Sequence, residues 1–178
     1  MENNLLDLTL KRRSTRDFVE ENIDDKILDE ILKIALTAPS SWGQHPVHFI
    51  LVKDKETIKK IAKCKAMGAR PLEQVNTCIV VMVNTENCEL WIEDASVAST
   101  YILLAAEQFD IGACWIHIRN RKGQHKSADE EIRDLLGVPD KYRVLNCIAL
   151  GKKGRNNKAY SQDDLHTQNI HKEKYNGD

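Results

Sequence analysis

The chain has no surplus of charge. Among its 178 residues, 26 Lys and Arg stand against 27 Asp and Glu, a net charge of -1. General nucleic-acid or membrane binders carry a large basic excess, so the balance argues against both as partners. It leaves room for a small local anion site. No apolar run is long enough to span a bilayer. Cysteines are few: Cys64, Cys78, Cys88, Cys114 and Cys147, with no Cys-x-x-Cys pair. A disulfide framework or structural zinc knuckle is not expected, and a reducing compartment is. The opening Met1-Glu2-Asn3-Asn4 has no basic n-region and no long apolar h-region after it, so a cytoplasmic location is expected. Gly-x-Gly-x-x-Gly, a Walker loop and Gly-x-Ser-x-Gly are all missing. His45 and His48 lack an acidic or cysteine partner at ligand spacing, so no metal site is expected.

What is present reads as one folded domain over residues 1–178. Apolar residues make up 42% and charged residues 30%. No linker or repeat divides the chain. A leucine-rich helix is predicted over 5–13 and a second over 24–38, capped by Asn22 or Asp24 and ended by Pro39. Four near-continuous apolar runs, at 47–52, 78–83, 113–118 and 144–150, read as strands buried on both faces. Helices are predicted between them at about 55–66, 90–109 and 127–136. Such alternation gives an α/β or α+β sandwich. From Ala95 to Ala106 the central helix is apolar or small on every side. Such a helix must be buried all round, which points to a core helix whose far side meets a partner chain.

Three stretches carry polar groups suited to a ligand. In Lys11-Arg12-Arg13-Ser14-Thr15-Arg16-Asp17-Phe18, guanidinium forks and hydroxyls suit a phosphate or a polar ring edge. The same cations also suit the negative end of a helix. Gly151-Lys152-Lys153-Gly154-Arg155, with Lys158, is a second basic cluster, or a solvated loop. Ala38-Pro39-Ser40-Ser41-Trp42-Gly43-Gln44-His45-Pro46 is a structured turn. Its hydroxyls and N–H groups can line a heterocycle or simply satisfy a helix end.

In this order the stretches resemble the nitroreductase family of flavoproteins. Arg-Arg-Ser-Thr-Arg-Asp-Phe is similar to the family's flavin-binding opening. Ala-Pro-Ser-Ser running into Pro-Val-His-Phe-Ile-Leu-Val is similar to its second signature. Trp91-Ile92-Glu93-Asp94-Ala95-Ser96-Val97-Ala98 and Ile111-Gly112-Ala113-Cys114-Trp115 resemble its central helix and following strand, and Ile170-His171-Lys172-Glu173-Lys174-Tyr175 its ending. Relatives often carry Asn, Gln and Trp at Gly43, His45 and Val47, Asn at Tyr101 and Gln at His117.

The resemblance implies an α+β nitroreductase-like sandwich, with a central, mostly antiparallel sheet flanked by helices, in an interlocked homodimer. It implies FMN at the subunit interface and NADH or NADPH as reductant, with a small organic electron acceptor such as a nitroaromatic or quinone and ping-pong kinetics. By position, Arg12, Arg13, Ser14 and Arg16 would hold the flavin phosphate, ribityl chain and pyrimidine edge. Pro39, Ser40 and Ser41 would come from the second subunit. Gly151, Lys153 and Lys158 would help hold the phosphate. Chemistry would lie on the flavin N5, with no catalytic side chain and no metal. Alternatives are reductive dehalogenation, flavin fragmentation, a non-enzymatic flavin or redox-sensing module, or an unrelated phosphate ligand at residues 12–16. The segment 64–75 is short for the lid that the first two usually carry.

Overall fold

A computed structural model describes residues 5–86, 88–155 and 157–177. Residues 1–4, read above for a leader, lie outside them. The chain runs α1 (Leu5–Lys11), β1 (Phe18–Val19), α2 (Asp25–Leu36), β2 (Val47–Val52), α3 (Lys55–Lys63), α4 (Arg70–Glu73), β3 (Thr77–Asn84), α5 (Trp91–Gln108), β4 (Ile111–His117), α6 (Ala128–Leu136) and β5 (Tyr142–Lys153). Short 3-10 turns lie at Ser41–Gly43, Gln162–Asp164 and Thr167–Asn169.

Local chemistry sets the helix ends. Asp24 caps α2 by accepting from Lys26 N, and Asp54 caps α3 by accepting from Thr57 N. Ser127 and Glu130 form a reciprocal capping box on α6, which Gly137 ends at φ 67°.

All strand pairs are antiparallel. β5 is the hub, pairing with β3 and β1 and also with β4, while β2 extends the sheet beyond β3. Alternate residues face opposite ways. Cys78, Val80, Cys114, Ile116 and Cys147 pack under α3, α4 and α6. Ile79, Val81, Ile148 and Leu150 pack under α2 and α5. The register slips between Val81 and Met82, opposite Leu145. The freed Leu145 carbonyl accepts from Ile118 N and Arg119 N as the chain leaves β4.

Within one chain the central helix is buried along one side. Asp94, Ala95, Ala98, Ser99, Ile102, Ala105 and Ala106 are buried, but Glu93, Val97, Thr100 and Gln108 form an exposed stripe at helical spacing. A single chain covers only one side of α5. On the buried side a polar link runs to the sheet: Asn146 Nδ2 donates to Ser99 Oγ at 2.9 Å, and Ser99 Oγ donates to Ala95 O at 2.7 Å.

Candidate functional site

Residues 12–17 leave α1 as an extended segment along the outer edge of β4. Ser14 bridges Ala113 in parallel, and Thr15 N donates to Ala113 O at 2.9 Å. Extended backbone sends alternate side chains to opposite sides. Arg13 and Thr15 line one cavity, and Arg16 lines another.

The Arg16 cavity holds about 640 Å³ and is also lined by Arg70, Arg155, Gln74, Gly68 and Trp115. Three guanidinium groups from distant parts of the chain meet there, with Asp17 as the one acid among the lining residues. Arg70 opens α4, which packs on α3. Gln74 clamps the segment that carries Arg16: its Oε1 accepts from Phe18 N and its Nε2 donates to Arg16 O, both at 3.3 Å. β4 forms the floor. Ala113 turns its carbonyl outward to Thr15, so by ladder alternation Trp115, two residues on, turns its N–H and C=O outward as well.

The charge of the region shows in its neighbours. Burial lowers the pKa of His117, and Arg121, Lys65 and Arg119 lower it further. Burial and Arg121 lower that of Lys65. For both groups burial is the larger cause and the neighbouring cations the smaller. The buried Cys114 thiol is pushed up by desolvation, against the pull of Arg16 and Lys65.

The other basic residues are held differently. Arg13 Nη1 donates to Lys158 O at 2.5 Å, and its guanidinium lies 4.3 Å from the Tyr160 ring centroid. Tyr160 N donates to Leu10 O and Asn157 Nδ2 to Ser14 O. Together these bonds dock the segment after β5 alongside α1. Lys153 Nζ pairs with Glu107 at 3.0 Å and Asp110 at 2.8 Å. Burial works against its charge, but the two carboxylates outweigh that and raise its pKa. Arg13 and Lys153 therefore share a second cavity of about 260 Å³ with Lys11, Glu107 and Asp110. Arg12 is half-buried, and Lys158 is exposed. Gly151 packs the sheet: a Cβ there would lie 3.0 Å from Phe18 Cδ1 and 3.2 Å from Val75 Cγ1.

Pro39, Ser40 and Ser41 are away from this cavity, in the turn between α2 and β2. Pro39 and Ser40 line a small apolar recess of about 40 Å³ with His45, Phe49 and Ala98. Ser41 N and Oγ both donate to Asp94 Oδ1 at 2.9 Å. The sequence reading missed Arg70, Gln74 and Asp94. The one signal for Arg70 was its place between Gly68 and Pro71.

In the donor set, cationic forks suit a phosphate or an electron-rich ring edge, and an open strand edge suits a planar heterocycle with donors and acceptors. The volume also accommodates a ring system. The residues present fit a flavin mononucleotide.

Comparison with known proteins agrees with this geometry. Residues 9–91 and 89–152 match the family described as "Nitroreductase family". A protein of Archaeoglobus fulgidus named "Putative NADH dehydrogenase/NAD(P)H nitroreductase" is 33% identical over 96% of this chain and 98% of its own length. Among solved structures, an FMN-dependent nitroreductase from Clostridium difficile R20291 superposes with a TM-score of 0.91 and 38% identity, covering 94% of this chain and 98% of that one. A protein of Parabacteroides distasonis with the same name as the Archaeoglobus one superposes with a TM-score of 0.87 at 28% identity, over 98% and 100% of the two chains. With its antiparallel sheet, flanking helices and near full-length match, this chain belongs to the nitroreductase family.

Proposed function

We propose that the protein is an FMN-dependent NAD(P)H oxidoreductase that passes electrons to a small nitroaromatic or quinone-like acceptor by a ping-pong sequence, and that it works as a homodimer. The observation that carries this reading is the convergence of Arg16, Arg70 and Arg155 on the open edge of β4. When bound, FMN supplies the hydride chemistry at its N5. The chain supplies position and charge. Arg16 and Arg70 set fixed positive charge at the pyrimidine edge, where it complements negative charge gained on reduction. The outward Trp115 peptide offers a donor and an acceptor to the same edge. Arg12 and Ser14, from the same stretch as Arg16, serve the ribityl chain and phosphate. Arg155 and the exposed Lys158 add phosphate contacts. Gly151 and Lys153 support this wall from behind, and Arg13 does so through the segment after β5. Pro39, Ser40 and Ser41 complete the site from the partner subunit. No side chain is assigned as an obligate acid or base.

The exposed stripe of α5 supports the dimer. Val97, with the half-buried Tyr101 and Leu104, leaves apolar surface on α5, and α1, which packs against α5, exposes Leu5 and Leu6. Covering such surface drives association.

Anaerobic rapid mixing tests the function. Bound flavin should bleach on mixing with NADH or NADPH alone, then recover its colour when a quinone or nitroarene is added in a second mix. A protein that binds FMN, yet whose flavin neither nicotinamide reduces, contradicts the proposal.

A further inference from the structure

The turn at residues 39–45 is held by a carboxylate from another element. Asp94 lies in the first turn of α5 and is only 4% exposed. Its Oδ1 accepts from both Ser41 N and Ser41 Oγ at 2.9 Å. Its Oδ2 accepts from Cys88 Sγ at 3.5 Å. These three donors are neutral. Among the described residues the carboxyl oxygens therefore meet only neutral hydrogen-bond donors, in the first turn of α5.

The turn that Asp94 holds is strained. Trp42 has φ 54° and His45 φ 47°, on either side of the segment containing Gly43 at φ 65°. Left-handed conformations at non-glycine residues are unfavourable and persist only where surroundings over-determine them. Here Asp94 anchors the start of the turn, and Ser40 Oγ, accepting from His45 N at 2.8 Å, ties its two ends. Trp42 is 94% exposed, so packing of its side chain does not hold it in place.

The same bonds decide which way each hydroxyl can act. A serine has one proton and two lone pairs. Ser41 spends its proton on Asp94, so it meets a further partner as an acceptor. Ser40 takes the His45 N–H on its oxygen, so its own proton is left to donate.

We propose that Asp94 is a positioning residue for the flavin site. It holds the 39–45 turn in the strained shape that reaches the partner subunit's flavin. It also sets Ser41 as an acceptor there and leaves Ser40 as a donor. This inference rests on the FMN reading above and names a residue that acts through Ser41 rather than on the flavin.

The test compares wild type with Asp94→Ala, Asp94→Asn and Ser41→Ala as full chains. The measurements are the FMN Kd of the apoprotein, the visible spectrum and reduction potential of bound flavin, and the melting temperature without flavin. Asp94→Ala should weaken FMN binding by about tenfold or more, the scale of losing the two hydrogen bonds that anchor the turn. It should also shift the spectrum or potential of the flavin still bound. Asp94→Asn keeps an oxygen for both Ser41 bonds and should restore most of the affinity. Ser41→Ala should reproduce part of the spectral change with little loss of melting temperature, and it carries the test should Asp94→Ala not fold. Wild-type affinity, spectrum and potential in Asp94→Ala, or in Ser41→Ala if the former does not fold, overturn the inference even when the melting temperature falls. A wild-type protein that binds no FMN overturns the flavin reading, and the inference with it.

Discussion

Thr15 rests directly on Gly112: a Cβ at position 112 would lie 2.8 Å from Thr15 Cγ2 and 2.9 Å from its hydroxyl. This contact lets the extended 12–17 segment lie flush along β4, and so aims Arg16 at its cavity. Thr15 is buried and its N–H is committed to Ala113, so it has little room to move. Gly112→Ala should cost about 1–3 kcal/mol, the usual range for overpacking. Urea unfolding measures it. Adding Thr15→Ala should recover part of the loss, because the γ atoms that clash are then gone.

Arg16 should matter to the ligand more than to the fold. It is exposed and makes no side-chain ion pair among the described residues. Losing one charge-assisted contact costs about 1.5–3 kcal/mol, roughly a 10- to 100-fold weaker FMN complex. Arg16→Ala should show that loss in a flavin titration while its urea midpoint stays near wild type. Arg70→Met should behave in the same way.

Lys153 should do the reverse. Its Nζ joins the well-buried Glu107 to the exposed Asp110. Removing a partner from a fully buried pair costs about 3–5 kcal/mol, and this pair, open on one side, should lose about 2. Lys153→Met should lower stability by that amount in urea. The lysine pKa is raised in the fold, so its contribution is complete below the unfolded lysine value and fades as pH climbs through the folded one. The difference from wild type should hold through neutral pH and shrink only in strong alkali.

His117 titrates with the opposite sign. Burial, with Arg121, Lys65 and Arg119 nearby, lowers its pKa below 6.5. The unfolded state then binds the proton more tightly than the fold does. Stability from this group is present above about pH 6.5 and is lost as pH falls through the folded value. The urea midpoint of wild type should fall more between pH 7.5 and 5.5 than that of His117→Gln, pH values chosen to span the ordinary histidine range. Equal falls in the two proteins would contradict the assignment.

All five cysteines are buried and free. Desolvation, with Glu131 nearby, pushes Cys64 up to about 11. A disulfide reagent at mild alkaline pH should therefore label the native protein slowly, and label five thiols per chain once denaturant is added.

Much of the fold was legible because its elements carry their own signals. The 47–52 run is a strand with those very bounds, and Asp24 and Ser127 mark helix starts by side-chain chemistry. β5 runs longer than its apolar stretch, from Tyr142 to Lys153, because its polar ends pair with Asn84, β1 and β4. β1 and α4 were not anticipated. Two and four residues are too few to show a period, and they exist through contacts made elsewhere. Among the residues that line the cavity, Arg16 stood out in the sequence through its charge cluster. Arg70 and Arg155 join it only through the folded chain, and Asp94 looked like an ordinary acid in a first helical turn. Separations of 53 residues, as between Ser41 and Asp94, leave no local trace.

The most direct measurement is the visible absorption spectrum of the purified protein, followed by heat release and identification of any yellow cofactor. One FMN per chain, recovered intact and rebound by the apoprotein, is the expected result. A colourless protein that takes up no added FMN would contradict the flavin reading and leave Arg16, Arg70 and Arg155 as a cation cluster awaiting another ligand.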